Sequence, residues 1–320
     1  MVSWQPGRSP APPDERALDF LGLHGFDFVR IPIDYRFWVK DHDYMHPDES
    51  VWDALDAYLR ALKTRHMHMS LNLHRAPGYC INSNNLELHN LWLDRIAQEG
   101  FTFTWRRLAA RFKGVPGDEL SFDLVNEPPD IGQYGFTRKR HEAVIRSAAA
   151  AIREVDPDRP IVIDGLAGGH LAMPELADLG ATHSGRGYQP MAVSHFEAGW
   201  WTGSKGLPAP VYPGTRWDGR SWDRDALLAF YEPWREVERR GVTIHIGEFG
   251  CYNHTPNDVA MRWFRDLLSV FKELRWGYSL WCFTGAFGIV EHGRSGATYE
   301  EVNGYRVDRE LLELLKESRV

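Results

Sequence analysis

Short apolar runs alternate along the chain with stretches whose apolar residues recur at helical spacing. A helix opens behind Asp14, an N-cap residue, in DERALDFLGLHG and is closed by Gly25. The buried strand FDFVRIPI follows over 26–33, with Arg30 near its end and Pro32 as its stop. Residues 48–66 read as an amphipathic helix with Val51, Leu55, Tyr58, Leu59 and Leu62 on one face. A strand over 67–73 then delivers His74 and Arg75 into the loop RAPGYCINSNN, and a long helical region over 86–112 is expected to break near Gly100. Next comes LSFDLVNEPP, an apolar strand that ends in an amide, a carboxylic acid and two prolines, so Asn126 and Glu127 stand where the strand stops.

Helix 136–155, strand 161–164, a weak helix over 174–179 and a strand over 191–196 ending near His195 continue the alternation. Periodicity is lost over 198–222, a loop too long for a mere connector and rich in aromatics. Helix 223–240, the strand 242–247 that leads to Glu248 in VTIHIGEFG, helix 256–274, strand 277–283 and a last helix over 308–318 complete the chain. The seven strand candidates carry no two-residue hairpin signal between them, which predicts parallel strands joined by helical crossovers. No Gly-rich phosphate loop follows an early strand, and the polar residues gather at strand ends. Both features favour an α/β fold of the (β/α)8 TIM-barrel type over an open doubly wound sheet.

Such a barrel needs one more strand before Asp14, and the only material for it is Val2 to Trp4, so the first strand is weak or atypical. The expectation is that these residues, or a second chain forming an oligomer, cover the open edge. Otherwise 1–320 reads as a single catalytic barrel domain, with 198–222 as a long loop after the sixth strand.

Composition narrows the function classes. The net charge of −7 and the lack of a Lys/Arg-rich block argue against nucleic acid or an anionic membrane as partner. Three cysteines, Cys80, Cys251 and Cys282, show no metal-ligand spacing, and no apolar run reaches the roughly 18 residues of a membrane span. No export signal is visible at the start: the chain as written reads as cytoplasmic, or as secreted if a signal was removed. Thirteen tryptophans are many for 320 residues. Trp200, Trp201 and Trp217 lie in the long loop, as do Tyr212 and Trp222, where rings serve either to stiffen the segment or to stack on the apolar faces of sugars.

Two acids at the tips of different strands can perform glycosidic bond cleavage, one protonated and one ionised. Glu127, beside Val125 and two prolines, is the candidate acid/base. Glu248 is the candidate nucleophile, with Arg30 as the expected neighbour that keeps it ionised, and Asn126 is placed to hold a sugar hydroxyl. No metal or cofactor is called for. His66 and His68 form an H-x-H at the wrong end of their strand for metal chemistry.

VNEP around Glu127, IGEFG around Glu248, VRIP around Arg30, NLH ending in His74, His195, and Trp281 in SLWCF together resemble glycoside hydrolase family 5, the cellulase-type retaining glycosidases. The resemblance runs from about Gly25 to the C-terminus. It implies a TIM barrel, double displacement through Glu127 and Glu248, and Arg30, His74, Asn126, His195 and Trp281 as the surrounding shell on a β-linked oligo- or polysaccharide. The carboxyl groups of such a pair stand roughly 5 to 5.5 Å apart. The chain departs from the family pattern in lacking the Arg-Gly-x-Asn first strand. HFE also puts Glu197 where the family has the Tyr of His-x-Tyr, leaving Tyr188 or Tyr252 to supply that hydroxyl, and RGYQP is foreign to the pattern. The expected activity is hydrolysis of β-1,4-glucan in endo mode. A β-mannanase or an exo-acting β-glucosidase or β-mannosidase is the near alternative, and a metal-dependent barrel hydrolase or a non-catalytic sugar-binding barrel are the rivals of other classes.

Overall fold

The computed structural model describes residues 5–82 and 84–320, so the strand expected at Val2 to Trp4 lies outside the described residues. Seven strands follow the order β1-β2-β3-β4-β5-β8-β9. They are β1 Phe28–Asp34, β2 His68–Arg75, β3 Leu120–Asp123, β4 Ile161–Asp164, β5 Thr182–Gly187, β8 Ile244–Phe249 and β9 Gly277–Leu280. The small strands β6 Thr215–Trp217 and β7 Arg220–Trp222 form one antiparallel pair, and β10 Tyr299–Val302 and β11 Tyr305–Asp308 form another. The chain divides into two compact units, residues up to 184 with 239–243, and 185–238 with 244–320.

In the first unit β1 to β5 pair in parallel, each with its neighbour in sequence. Helix α1 Glu15–Leu23 precedes β1, and α2 Asp53–Lys63, α3 Arg95–Arg111 and α4 Arg138–Arg153 supply the crossovers from β1 through β4. Asp14 caps α1 by accepting from the Ala17 N–H, and Thr137 caps α4 by accepting from Arg140, each satisfying a donor that the first turn leaves open. Met69, Leu71, Leu73, Phe122 and Ile163 of the strands share one continuous apolar core with Trp105, Leu108, Ile145 and Ile152 of the helices. The short segment α5 Leu166–Gly169 follows β4 and is not truly helical, since Ala167 and Gly168 have φ of 54° and 65°.

The second unit holds α6 Met191–Ser194, α7 Arg224–Phe230, α8 Glu232–Glu238, α9 Asn257–Leu274 and α10 Arg309–Glu317. There β8 and β9 pair in parallel, and the Phe249 ring packs edge-on to Phe264 and Phe271 of α9 and Tyr278 of β9.

Several expectations are corrected. The strand expected over 191–196 is a single helical turn, and the strand is instead Thr182–Gly187, THSGRG, whose small and polar residues give no apolar run. His195 is therefore the residue that ends a turn, not a strand tip. Helix α3 begins at Arg95 and passes through Gly100 unbroken. Glycine is needed there for packing, because a Cβ would lie 2.5 Å from the Cβ of Tyr44. His74 and Arg75 belong to β2 rather than to the loop after it. The helix expected over 223–240 is interrupted at Tyr231, ahead of Pro233. Two hairpins also escaped the sequence reading although WDGR and VNGY announce them: Asp218 and Gly219 have φ of 50° and 74°, and Asn303 and Gly304 have 50° and 80°, the left-handed pairs that two-residue turns require.

Candidate active site

Glu127 stands four residues beyond the end of β3, partly buried, with φ of 48°. The left-handed region costs a residue with a side chain about 1–2 kcal/mol, so the surroundings must hold it there. Its N–H donates to Asp164 Oδ2 at 3.0 Å, and its carbonyl accepts from the Tyr79 hydroxyl at 2.6 Å. The two prolines behind it are tied to the segment after β4, with Gly168 N–H donating to the Pro128 carbonyl at 2.9 Å and Ala167 N–H to that of Pro129 at 3.2 Å.

Arg30 organises the same ends of the first unit's strands. Its guanidinium donates from Nε to Asp123 Oδ2 at 2.7 Å, and from Nη2 to Asn126 Oδ1 at 3.0 Å and Asp164 Oδ2 at 3.3 Å. Asp123, Asn126 and Asp164 are all buried, so the cation stands among two carboxylates and an amide where Coulomb attraction is little screened. His74, also buried, has Nδ1 at 3.2 Å from Asn72 Oδ1. His68 has both ring nitrogens at 2.8 Å from protein partners, the Asp118 carbonyl and the Ser121 hydroxyl.

Glu248 is on β8 in the second unit and is buried. The Tyr188 hydroxyl donates to its Oε1 at 3.3 Å, and Arg186 Nη2 lies 3.7 Å from Oε2. Arg186 is fully buried on β5, so a cation beside Glu248 comes from the RGYQP region, which the sequence reading left without a role. Of the two tyrosines left open, Tyr188 is the one whose hydroxyl reaches Glu248. Glu197 points to an ion pair with His254 at 3.0 Å. Burial, with Glu248 nearby, pushes the Cys282 thiol up to about 11, which keeps it protonated.

His195 has Nδ1 at 2.9 Å from the Ser194 hydroxyl, and its ring lies 5.0 Å from that of Tyr188 and 5.9 Å from that of Trp201. Trp200 is 58% exposed and packs edge-on to Tyr252 at 4.7 Å, while Trp201 packs on Trp217 at 5.5 Å. Tyr212 and Trp222 are buried instead: the Tyr212 hydroxyl donates to Asp266 and the Trp222 indole to the Trp217 carbonyl. Trp281 follows β9, and its N–H donates to the Phe249 carbonyl at 2.8 Å. Gly250 permits that approach, for a Cβ there would stand 2.6 Å from the Trp281 carbonyl oxygen.

The sequence reading missed Tyr79, Asp123, Asp164 and Arg186. Asp164, the acid that closes the strand IVID, was the visible signal among them.

Each unit carries buried carboxylates on its parallel strands or at their ends, set against guanidinium groups, a setting that suits an α/β enzyme working through carboxyl groups. Residues 3–287 match the family described as Cellulase (glycosyl hydrolase family 5), and the chain belongs to that family. Endoglucanase C of Acetivibrio thermocellus is 24% identical over 317 residues, covering 90% of this chain and 89% of that protein. A crystal structure of a glycoside hydrolase is 61% identical, with a TM-score of 0.99 over 100% of this chain and 97% of that one. Cel5A of Thermotoga maritima, solved in complex with cellobiose, is 20% identical, with a TM-score of 0.75 over 95% of this chain and 90% of that one. The fold is thus the (β/α)8 barrel, and the protein is a glycosidase of a retaining family that acts on β-linked glycans.

Proposed function

We propose that the chain is one catalytic domain that hydrolyses β-1,4-glucan in endo mode by double displacement, with Glu248 as nucleophile and Glu127 as acid/base. The observation that carries this reading is the setting of Glu248, a buried carboxylate that accepts from Tyr188 beside the Arg186 guanidinium. A nucleophile must be fixed in orientation, and a hydroxyl donor and a neighbouring cation hold the carboxyl group in place. In the first step an oxygen of Glu248 bonds to the anomeric carbon while Glu127 gives its proton to the departing glycosidic oxygen, which leaves as an alcohol. In the second, Glu127 takes a proton from water as that oxygen attacks the same carbon and frees Glu248. Arg30, His74, Asn126, His195 and Trp281 are the proposed binding shell, with Trp200, Trp201 and Trp217 as the candidate platforms for sugar rings.

The preference for glucan draws on the endoglucanase name of the curated relative and on the aromatic loop. Mannan is the second reading, because Cel5A of Thermotoga maritima, the relative in fold, has also been solved in complex with mannotriose. Product analysis on soluble β-glucans, β-mannans and short oligosaccharides tests the substrate. Internal cleavage of β-1,4-glucan is expected, and cleavage confined to mannan or to chain ends would overturn the finer assignment. For the mechanism, Glu248→Ala is expected to be inactive and to regain turnover of an activated aryl glycoside with azide, giving the α-glycosyl azide. A folded variant that azide leaves inert would remove Glu248 from the nucleophile role.

A further inference from the structure

We propose that Tyr79 and Asp164 are positioning residues for Glu127, gripping the two peptide groups that flank it so that its carboxyl is held for proton transfer. The proposal rests on the reading of Glu127 as acid/base. At φ of 48° the Glu127 backbone is in a region that a residue with a Cβ leaves unless it is held. The carboxylate of Asp164 takes the N–H on one side, and the hydroxyl of Tyr79 gives to the carbonyl on the other. These bonds come from the end of β4 and from the loop after β2, and they fix both planes that meet at the Glu127 Cα.

Each member is itself anchored. Ala76 and Tyr79 exchange both backbone hydrogen bonds, at 2.9 and 3.0 Å, around a Pro77–Gly78 turn in which Gly78 has φ of 79°. A Cβ on Gly78 would stand 2.6 Å from the backbone nitrogen of Leu91, so the turn is seated tightly and the direction of the Tyr79 ring is set. That ring packs edge-on to Trp92 at 5.2 Å and is buried. Burial holds the phenol well above its ordinary value of 10.0, so it remains a donor at every working pH. Asp164 ends β4, is buried, and shares Oδ2 between the Glu127 N–H and the Arg30 guanidinium. The guanidinium lies against this acceptor and also reaches Asn126, the residue before Glu127. A hydroxyl that merely needed a partner would be satisfied by any carbonyl, whereas this pair grips both sides of the one residue whose carboxyl must be aimed.

The test is Tyr79→Phe, which removes one hydroxyl and keeps the ring. Its kcat/KM is compared with that of the unaltered enzyme on two substrates, the unactivated oligosaccharide it cleaves best and a 2,4-dinitrophenyl glycoside of the same sugar. The dinitrophenolate leaves without a proton, so misplacement of the acid is felt on the first substrate alone. A loss of about 10- to 100-fold on the oligosaccharide, with less than about threefold on the activated glycoside, is expected. Equal losses on both, or none on either, would overturn the proposal. Asp164→Asn keeps an acceptor for the Glu127 N–H and is expected to show a smaller split than Asp164→Ala; the same split in both would count against the grip. Thermal melting identifies any variant that has lost its fold, and the remaining variants then decide. Glu127→Ala on the same substrates separates the two claims. If it shows no leaving-group split, the acid/base assignment fails; if it shows the split and Tyr79→Phe does not, only the positioning role fails.

Discussion

Tyr188 and Arg186 reach Glu248 from β5 and the residues just after it, a stretch whose sequence, THSGRGYQP, gave no strand signal. A hydrogen bond to a charged group contributes about 1.5 kcal/mol or more, which corresponds to roughly tenfold in rate when it orients a reacting group. Tyr188→Phe is accordingly expected to lower kcat by about tenfold while leaving the melting temperature nearly unchanged, as steady-state kinetics beside a thermal melt will check. At this scale the positions of the two candidate acids were legible, because NEP and GEFG each place a carboxyl group at the close of an apolar strand. Several of their partners were not. Arg186 reaches Glu248 from a stretch that gave no signal, and the Arg30 guanidinium is bonded to Asp123, Asn126 and Asp164, partners that the spacing of residues does not announce. Which cation serves which carboxylate depends on strand order and side-chain direction, and neither is written in local spacing.

The helices of the first unit show both the reach and the limit of periodicity. A glycine in a helix interior ordinarily gains about 1 kcal/mol on change to alanine. At Gly100 the sign reverses, since the new methyl would stand 2.5 Å from the Tyr44 Cβ and overpacking costs about 1–3 kcal/mol. Gly100→Ala is expected to lower the urea midpoint, and a raised midpoint would show that Tyr44 can move aside. Between α4 and β5, burial depresses His141 to about 3, with Arg138 and His183 adding to the effect, and depresses His183 to about 4. Both are then neutral in the folded protein and charged in the unfolded chain below 6.5. Their contribution to stability is complete above that value and is lost as pH falls toward 4 and then 3, on the order of a few kcal/mol between them. His141→Leu, which puts an aliphatic side chain against Trp92 and Phe136, should flatten the decline. Urea unfolding at pH 7 and pH 5 reads it, and equal declines in the two proteins would uncouple His141 from the effect.

For the whole molecule the experiments concern the reaction. Proton NMR of the first product is expected to show the β anomer before mutarotation, as double displacement requires, and an α product would mean inversion. Activity is expected to survive chelator, because neither proposed step uses a metal ion; loss that added metal restores would favour the H-x-H reading of His66 and His68. Among the described residues no helix is long and apolar enough to cross a membrane.

The sequence by itself determined the strand-helix alternation, the two acids at strand ends and the family, since these follow from apolar period and from short motifs whose residues are neighbours in the chain. Tertiary structure decided what those signals could not reach. It made a strand of THSGRG, which backbone pairing holds without an apolar run, and it kept α3 whole by setting Gly100 against Tyr44. It gave Arg186 and Tyr188 to Glu248, and Tyr79 and Asp164 to the backbone of Glu127. Each of these is a contact between residues distant in sequence, fixed by how the strands are ordered rather than by what stands beside each residue in the chain.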